Sequence, residues 1–194
     1  MPFEPRRLTD PREMRALAHP VRLALLEALA HAGRPLTATE ASELVDESPS
    51  SCSFHLRQLA KYGFVEEAEG GAGRRRPWRL AQLGLSFSDA GDDPQLTLAA
   101  TALERTLRHR YLARAEQALD SRAALEPEWR EVTGTDQFVL YATPEEVREL
   151  NAELVALLTR FHDRVADVER RPPGSRPVEV IALTYPVDRP DPPG

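Results

Sequence analysis

The chain has 194 residues, 41% of them hydrophobic, with a formal net charge of −6 and a single cysteine. This length allows one large or two small domains with a real core. The lack of any apolar run of about 18 residues excludes a helical membrane span, and one cysteine excludes an intrachain disulfide framework or a multi-cysteine zinc site. The opening MPFEPRRLTDPRE has no signal-like apolar stretch, so the expected location is the cytoplasm. The charge is unevenly spread. Residues 1–90 carry 12 basic and 12 acidic side chains, whereas residues 91–194 carry 13 and 19. An acidic chain can still present a locally basic surface, because phosphate contacts act within about a Debye length, ~8 Å.

In chain order, residues 1–8 are rich in Pro and Arg and read as an arm. Asp10 is placed to cap a helix opened by Pro11 and running to about Ala18. Pro20 opens a second helix to about Ala32, with Val21, Leu25, Leu26 and Leu29 on its core face and Gly33 ending it. His19 and His31 read as helix-boundary residues. Thr37 heads a third, short helix to Val45, with Glu40 at the reciprocal position of a capping box. Asp46 and Glu47 form the turn that follows.

The next stretch, Glu47 to Val65, reads ESPSSCSFHLRQLAKYGFV. Ser48 suits an N-cap, Pro49 the first helical position, and Gly63 a C′ stop. Cys52, Leu56 and Leu59 make one narrow apolar face. The rest of the helix shows hydroxyls, Phe54, His55, Arg57 and Lys61, with no acidic residue between Ser48 and Tyr62. Such a helix suits phosphate and base contacts in a DNA groove. The ordinary alternative is a solvated amphipathic surface helix. Cys52 reads as a small buried residue rather than a redox sensor.

Residues 64–69 and 75–83 read as two strands joined by a glycine-rich tip, GGAGR. Arg74, Arg75, Arg76 and Arg79 on this hairpin would reach phosphates or a neighbouring minor groove, with Glu66, Glu67 and Glu69 on the facing strand partly neutralising them. Trp78 packs the hairpin in this reading.

The pattern carried by Ser48, Ser50, Ser53, His55, Leu56, Leu59, Gly63, Phe64 and Val65 resembles the ArsR-type winged helix-turn-helix regulators. The upstream segment LTDPREMRALAHPVRLALLEAL resembles the opening of that family, so the likeness spans about Thr9 to Leu85. It implies a bracing helix at 39–45, a recognition helix at 48–62 in the major groove and a wing at 64–83. Pro49, Ser50, Ser51, Ser53, Phe54, His55, Arg57 and Lys61 would face DNA, with the wing arginines on the backbone. Metal-sensing members often carry a cysteine pair in the bracing helix; this sequence has none there, which argues against a cysteine-based sensor.

A polar break, SFSDAGDDPQ, follows Leu85 and separates two expected domains, 1–88 and 94–194. Beyond it, Leu96, Ala100, Leu103, Leu107, Tyr111, Ala115 and Leu119 keep a three/four spacing that predicts one long helix from Pro94. Its position after the wing resembles the family's dimerisation helix. Residues 137–142 (QFVLYA) and 178–185 (VEVIALTY) read as strands flanking a helix that Thr143 caps and that runs to about Arg170. Two strands alone make a marginal sheet, so a further partner is expected from a dimer mate or another segment.

No catalytic motif, cofactor signature or metal-ligand cluster is present in the sequence, and His109 and Glu116 on the long helix lack the family's usual metal pairings. Tyr111, Trp129, Phe138, Tyr141 and Phe161 read first as core and second as the lining of a small-molecule pocket. The fold expected is mainly α with small β elements: a winged helix-turn-helix domain, a long dimerisation helix and a C-terminal strand–helix–strand unit. The expected function is a homodimeric, sequence-specific DNA-binding regulator, a repressor on an inverted-repeat operator. It would need no cofactor or membrane, with an effector as one option. The alternatives are a protein-interaction module on the same scaffold and, more remotely, an enzyme.

Overall fold

The computed structural model describes residues 6–69, 76–82, 84–87 and 93–187. Helix α1 (Pro11–Leu17) starts where the Asp10 carboxylate accepts the Arg12 N–H at 2.8 Å. Helix α2 (Pro20–Ala32) starts on an unexpected cap, the His19 ring, whose Nδ1 accepts the Val21 N–H at 3.2 Å. It stops at Gly33, whose φ of 59° is left-handed, a conformation that costs a residue with a Cβ about 1–2 kcal/mol. Helix α3 (Ala38–Val45) carries the expected capping box: the Glu40 carboxylate accepts the Thr37 N–H at 2.8 Å and the Glu40 N–H returns to the Thr37 hydroxyl at 3.2 Å. Those bonds, from the Thr37 N–H, the Thr37 hydroxyl and then Arg34, hold the Glu40 carboxyl down at about 2.

Helix α4 (Pro49–Lys61) follows a turn in which Asp46 adopts positive φ. Strands β2 (Val65–Glu67) and β3 (Trp78–Leu80) pair antiparallel, with Val65 opposite Leu80 and Glu66 opposite Arg79. Leu36 bridges to Trp78 on the other side of β3, and Trp78 packs into the interior. The expected arm is partly ordered structure. Strand β1 (Arg6–Arg7) pairs in parallel with β4 (Leu85–Ser86), and Leu8 enters the core. Residues 1–5 lie outside the described residues.

One core joins α1 to α4, the β2–β3 pair and the start of the long helix α5 (Pro94–Asp120). Its fully buried members include Met14, Leu25, Leu56, Leu59 and Leu103, and each such side chain contributes roughly 1.5–3 kcal/mol of burial. The expected seam of α5 is therefore divided in its use. Ala100 and Leu103 are buried and Leu96 and Leu107 packed against the core of the same chain, where α5 lies on α1. Farther along, Leu112 and Leu119 are exposed.

The C-terminal half is different. It contains α6 (Pro127–Val132), α7 (Pro144–Thr159) and α8 (Asp163–Ala166), with no buried hydrophobic side chain among its described residues. The helix expected to reach about Arg170 breaks after Thr159, where the Thr159 hydroxyl bonds back to the Val155 carbonyl and the His162 ring approaches the Thr159 carbonyl at 3.0 Å. The two expected strands at 137–142 and 178–185 do not form a ladder. They make no backbone hydrogen bond with any described residue, because neither finds a neighbouring strand. This half is tied to the rest by the Arg171 guanidinium, which lies against Gly33, and by a charge cluster. Glu27 on α2 meets Arg110 at 2.6 Å and Arg114 at 2.5 Å, and Arg114 also pairs with Glu179. Burial would raise the Glu27 carboxyl, but the bonds and charges of Arg110 and Arg114 outweigh it and hold it below its usual value. No helix among the described residues is long and apolar enough to cross a membrane.

Candidate nucleic-acid interface

The α4 helix is seated by its dry face and open on the other. Cys52, Leu56 and Leu59 are fully buried, with α3 and α2 packed against the helix. The opposite stripe, Ser50, Phe54, Arg57 and Lys61, is exposed, and Phe54 keeps 52% of its surface in contact with solvent. An aromatic ring left open on a well-packed helix costs apolar hydration, which its one edge contact within the chain offsets only in part. The Ser48 hydroxyl accepts the Ser51 N–H at 3.1 Å and lies 3.0 Å from the Ser50 hydroxyl, so the positive end of α4 presents Pro49 and hydroxyls to the outside. Arg57 donates to the Ser53 hydroxyl at 3.1 Å and has no acidic partner among the described residues. The far end of the helix is held by Arg6, which donates to the Tyr62 and Gly63 carbonyls at 2.9 and 3.1 Å and lies over the Phe64 ring.

Not every residue expected on this face points outward. His55 is half-buried, with its ring 4.5 Å from that of His19 and edge-on to Phe54 at 5.2 Å. Among the described residues its buried Nδ1 has no hydrogen-bond partner, and neither has Nε of Arg22. Burial lowers the pKa of both histidines, and the neighbouring Arg22 charge adds to this. His19 and Arg22 thus bring the start of α2 beside α4, a juxtaposition the sequence reading missed. The signal was the His19-Pro20 pair itself, since a histidine before a helix-opening proline stands where an N-cap belongs.

The β2–β3 pair lies beside this helix. Arg76 pairs with Glu67, and Arg79 pairs with Glu66 at 2.7 Å, so both arginines carry an intrachain counter-charge. Arg74 and Arg75 lie outside the described residues. The five aromatics considered for a pocket are not gathered as one. Phe138 and Tyr141 are 81% and 91% exposed, Phe161 sits between Arg160 and Arg164, and Trp129 is covered by Arg176. Tyr111 has a polar, partly buried setting, where burial and then the Glu27 charge raise its hydroxyl pKa. Two depressions on this half are lined by other residues, one by Ala113, Glu116, Gln117, Asp120 and Ser121, the other by Leu150, Glu153, Leu154 and Leu157. Among the described residues no three His, Cys, Asp or Glu side chains are gathered as a metal site.

Residues 17–68 match the family model for a helix-turn-helix domain. The match spans α2, the α3–α4 pair and β2, the same elements that seat the open helix face. That match supports a helix-turn-helix DNA-binding domain over these residues and points to a DNA-binding regulator. No curated protein matched the chain.

Proposed function

We propose that this protein is a sequence-specific transcriptional regulator of the ArsR-like winged helix-turn-helix type, acting as a homodimeric repressor. The observation that carries this reading is the outer face of α4. Hydroxyls, Phe54, Arg57 and Lys61 stand in solvent on a helix whose other face is locked into the core, and no carboxylate interrupts them. In this reading α3 braces and α4 enters the major groove. Pro49, Ser50, Ser51 and Ser53 meet phosphates at the positive end of the helix, and Arg57 and Phe54 reach base edges. His55 steadies the helix from behind through His19. The β2–β3 pair is the wing, and its arginines exchange Glu66 and Glu67 for phosphate on binding.

A two-fold dimer would place two such helices one DNA turn apart, ~34 Å. With the inner seam of α5 used by α1, the exposed Leu98, Leu112 and Leu119 are the residues of α5 left for a mate. The intrachain pairing of Arg76 and Arg79 favours a second reading, a protein-interaction module whose wing does not touch DNA.

Fluorescence anisotropy on operator and random duplexes across a salt series separates the two. A regulator binds random duplex at low salt with a steep salt slope and its operator more tightly. Arg57→Ala should weaken operator binding by about 1–3 kcal/mol and random binding far less. Equal losses reassign Arg57 to phosphate, and no binding at low salt moves the protein to the interaction reading.

A further inference from the structure

Of the 22 large hydrophobic residues that stand exposed among the described residues, 16 lie between Val132 and Val187. They concentrate on three segments. Residues 137–142 expose Phe138, Val139, Leu140 and Tyr141; residues 178–187 expose Val178, Val180, Leu183, Tyr185 and Val187; and the stretch from α7 onward exposes Val155, Leu157, Leu158, Phe161, Val165 and Val168. The first two are rich in β-branched and aromatic residues, the composition of strands, yet their backbone N–H and C=O groups bond to no described residue. Each is an open edge, the kind of surface that templates pairing with another chain.

The chemistry of these edges selects the occupant. Nucleic acid finds no cation on either segment, since neither 137–142 nor 178–185 contains a lysine or arginine. Residues 137–142 carry no charge at all, and the only charge in 178–185, Glu179, is already paired with Arg114 of α5. Two copies can therefore meet along these edges without repulsion, in a half that would otherwise repel its like. One copy supplies two strands, short of the three or more that an independent sheet needs, whereas two copies supply four. Sixteen exposed apolar side chains between Val132 and Val187 also offer the kind of surface that a standard interface, roughly 800 Å² on each partner, takes out of water.

We propose that residues 137–142 and 178–185 of two copies join edge to edge across a two-fold axis. They form one four-stranded sheet, and the Leu150, Leu154 and Leu157 stripe of each α7 covers it. The Glu27–Arg114–Glu179 cluster holds the second strand at α5, so this sheet continues the dimer contact already assigned to the outer face of that helix. The inference rests on the homodimer of the preceding section and names where most of its interface lies.

Hydrogen–deuterium exchange on the full-length protein, with sedimentation velocity on the same samples, tests it. At concentrations giving twice the chain mass, amides of 137–142 and 178–185 should exchange at least about tenfold more slowly than unstructured peptide, and dilution to monomer should abolish that protection. Val180→Pro removes a strand donor; it should strip protection from both segments and weaken the dimer at least about tenfold while α1 to α4 stay protected. Val180→Thr should retain both. A dimer whose two segments exchange freely overturns the inference, as does protection that persists at monomer mass or a protein that stays monomeric. Binding to duplex is read separately: an unprotected dimer that binds DNA sinks the sheet alone, and a protected dimer that does not bind DNA sinks the regulator alone.

Discussion

Helices α3 and α7 begin with the same device and end in opposite circumstances. Thr37 and Glu40 cap one, Thr143 and Glu146 the other, and in both the carboxylate accepts the cap N–H at 2.8 Å. Each helix then follows with an apolar stripe. Around α3 that stripe closes a core in which Ala41, Leu56 and Leu59 are wholly buried; along α7 not one residue is buried, and Leu157 keeps 53% of its surface in solvent. Local signals start a helix equally well in both places. Burial depends on what the rest of the chain brings alongside, and only the first half brings its own.

The contrast can be broken most sharply by truncating one leucine in each half. Leu56→Ala should lower the unfolding free energy of the helix-turn-helix core by about 2–5 kcal/mol. Leu157→Ala, measured in urea at concentrations too low for association, should change it by less than about 0.5 kcal/mol. Similar losses would mean that the two halves share a core. A middle-sized effect is expected at the caps. Thr37→Ala should cost about 1 kcal/mol of global stability, whereas Thr143→Ala should leave the global midpoint in place and speed amide exchange at the start of α7 only. The Glu40 contribution is present above the ordinary carboxyl value of about 4.5 and fades as pH falls toward about 2, so wild type and Glu40→Gln should converge in acid.

The smallest effect belongs to the histidine pair. Both imidazoles are held below their ordinary value of about 6.5, so the unfolded chain takes up protons first as pH drops. Stability should therefore be intact above about pH 6.5 and decline below it. Protonating Nδ1 of His19 also removes the acceptor of the Val21 N–H. His19→Asn keeps an N-cap acceptor and cannot titrate. Its thermal midpoint should fall less than that of wild type between about pH 7.5 and 5.5, and parallel curves would place the acid sensitivity elsewhere.

What was legible in the sequence was what residues close in the chain decide. Asp10-Pro11, Thr37 with Glu40, Ser48-Pro49, Gly33 and Gly63 fix where helices begin and stop through bonds spanning a few residues. The open face of α4 was legible too, since its dry stripe left only one orientation. Distant pairings were not. Nothing local in Arg6–Leu8 announces the strand it makes with Leu85–Ser86. The three/four spacing of α5 marks an apolar seam without saying whether α1 or a second chain covers it. Residues 137–142 and 178–185 have the side chains of strands, but a ladder also needs a neighbour. The pattern of α4 alone points His55 outward, whereas the start of α2 lies against it.

Cys52 is the only thiol in the chain and is wholly enclosed on the inner face of α4, where burial and then the Glu47 charge raise its pKa. A reagent cannot touch it while α4 lies in place, and the thiol form that predominates there reacts slowly in any case. The unaltered protein thus carries its own clock: the pace at which Cys52 is modified measures how often α4 lifts from its bed, and under the proposed function a duplex that pins α4 down should slow that clock.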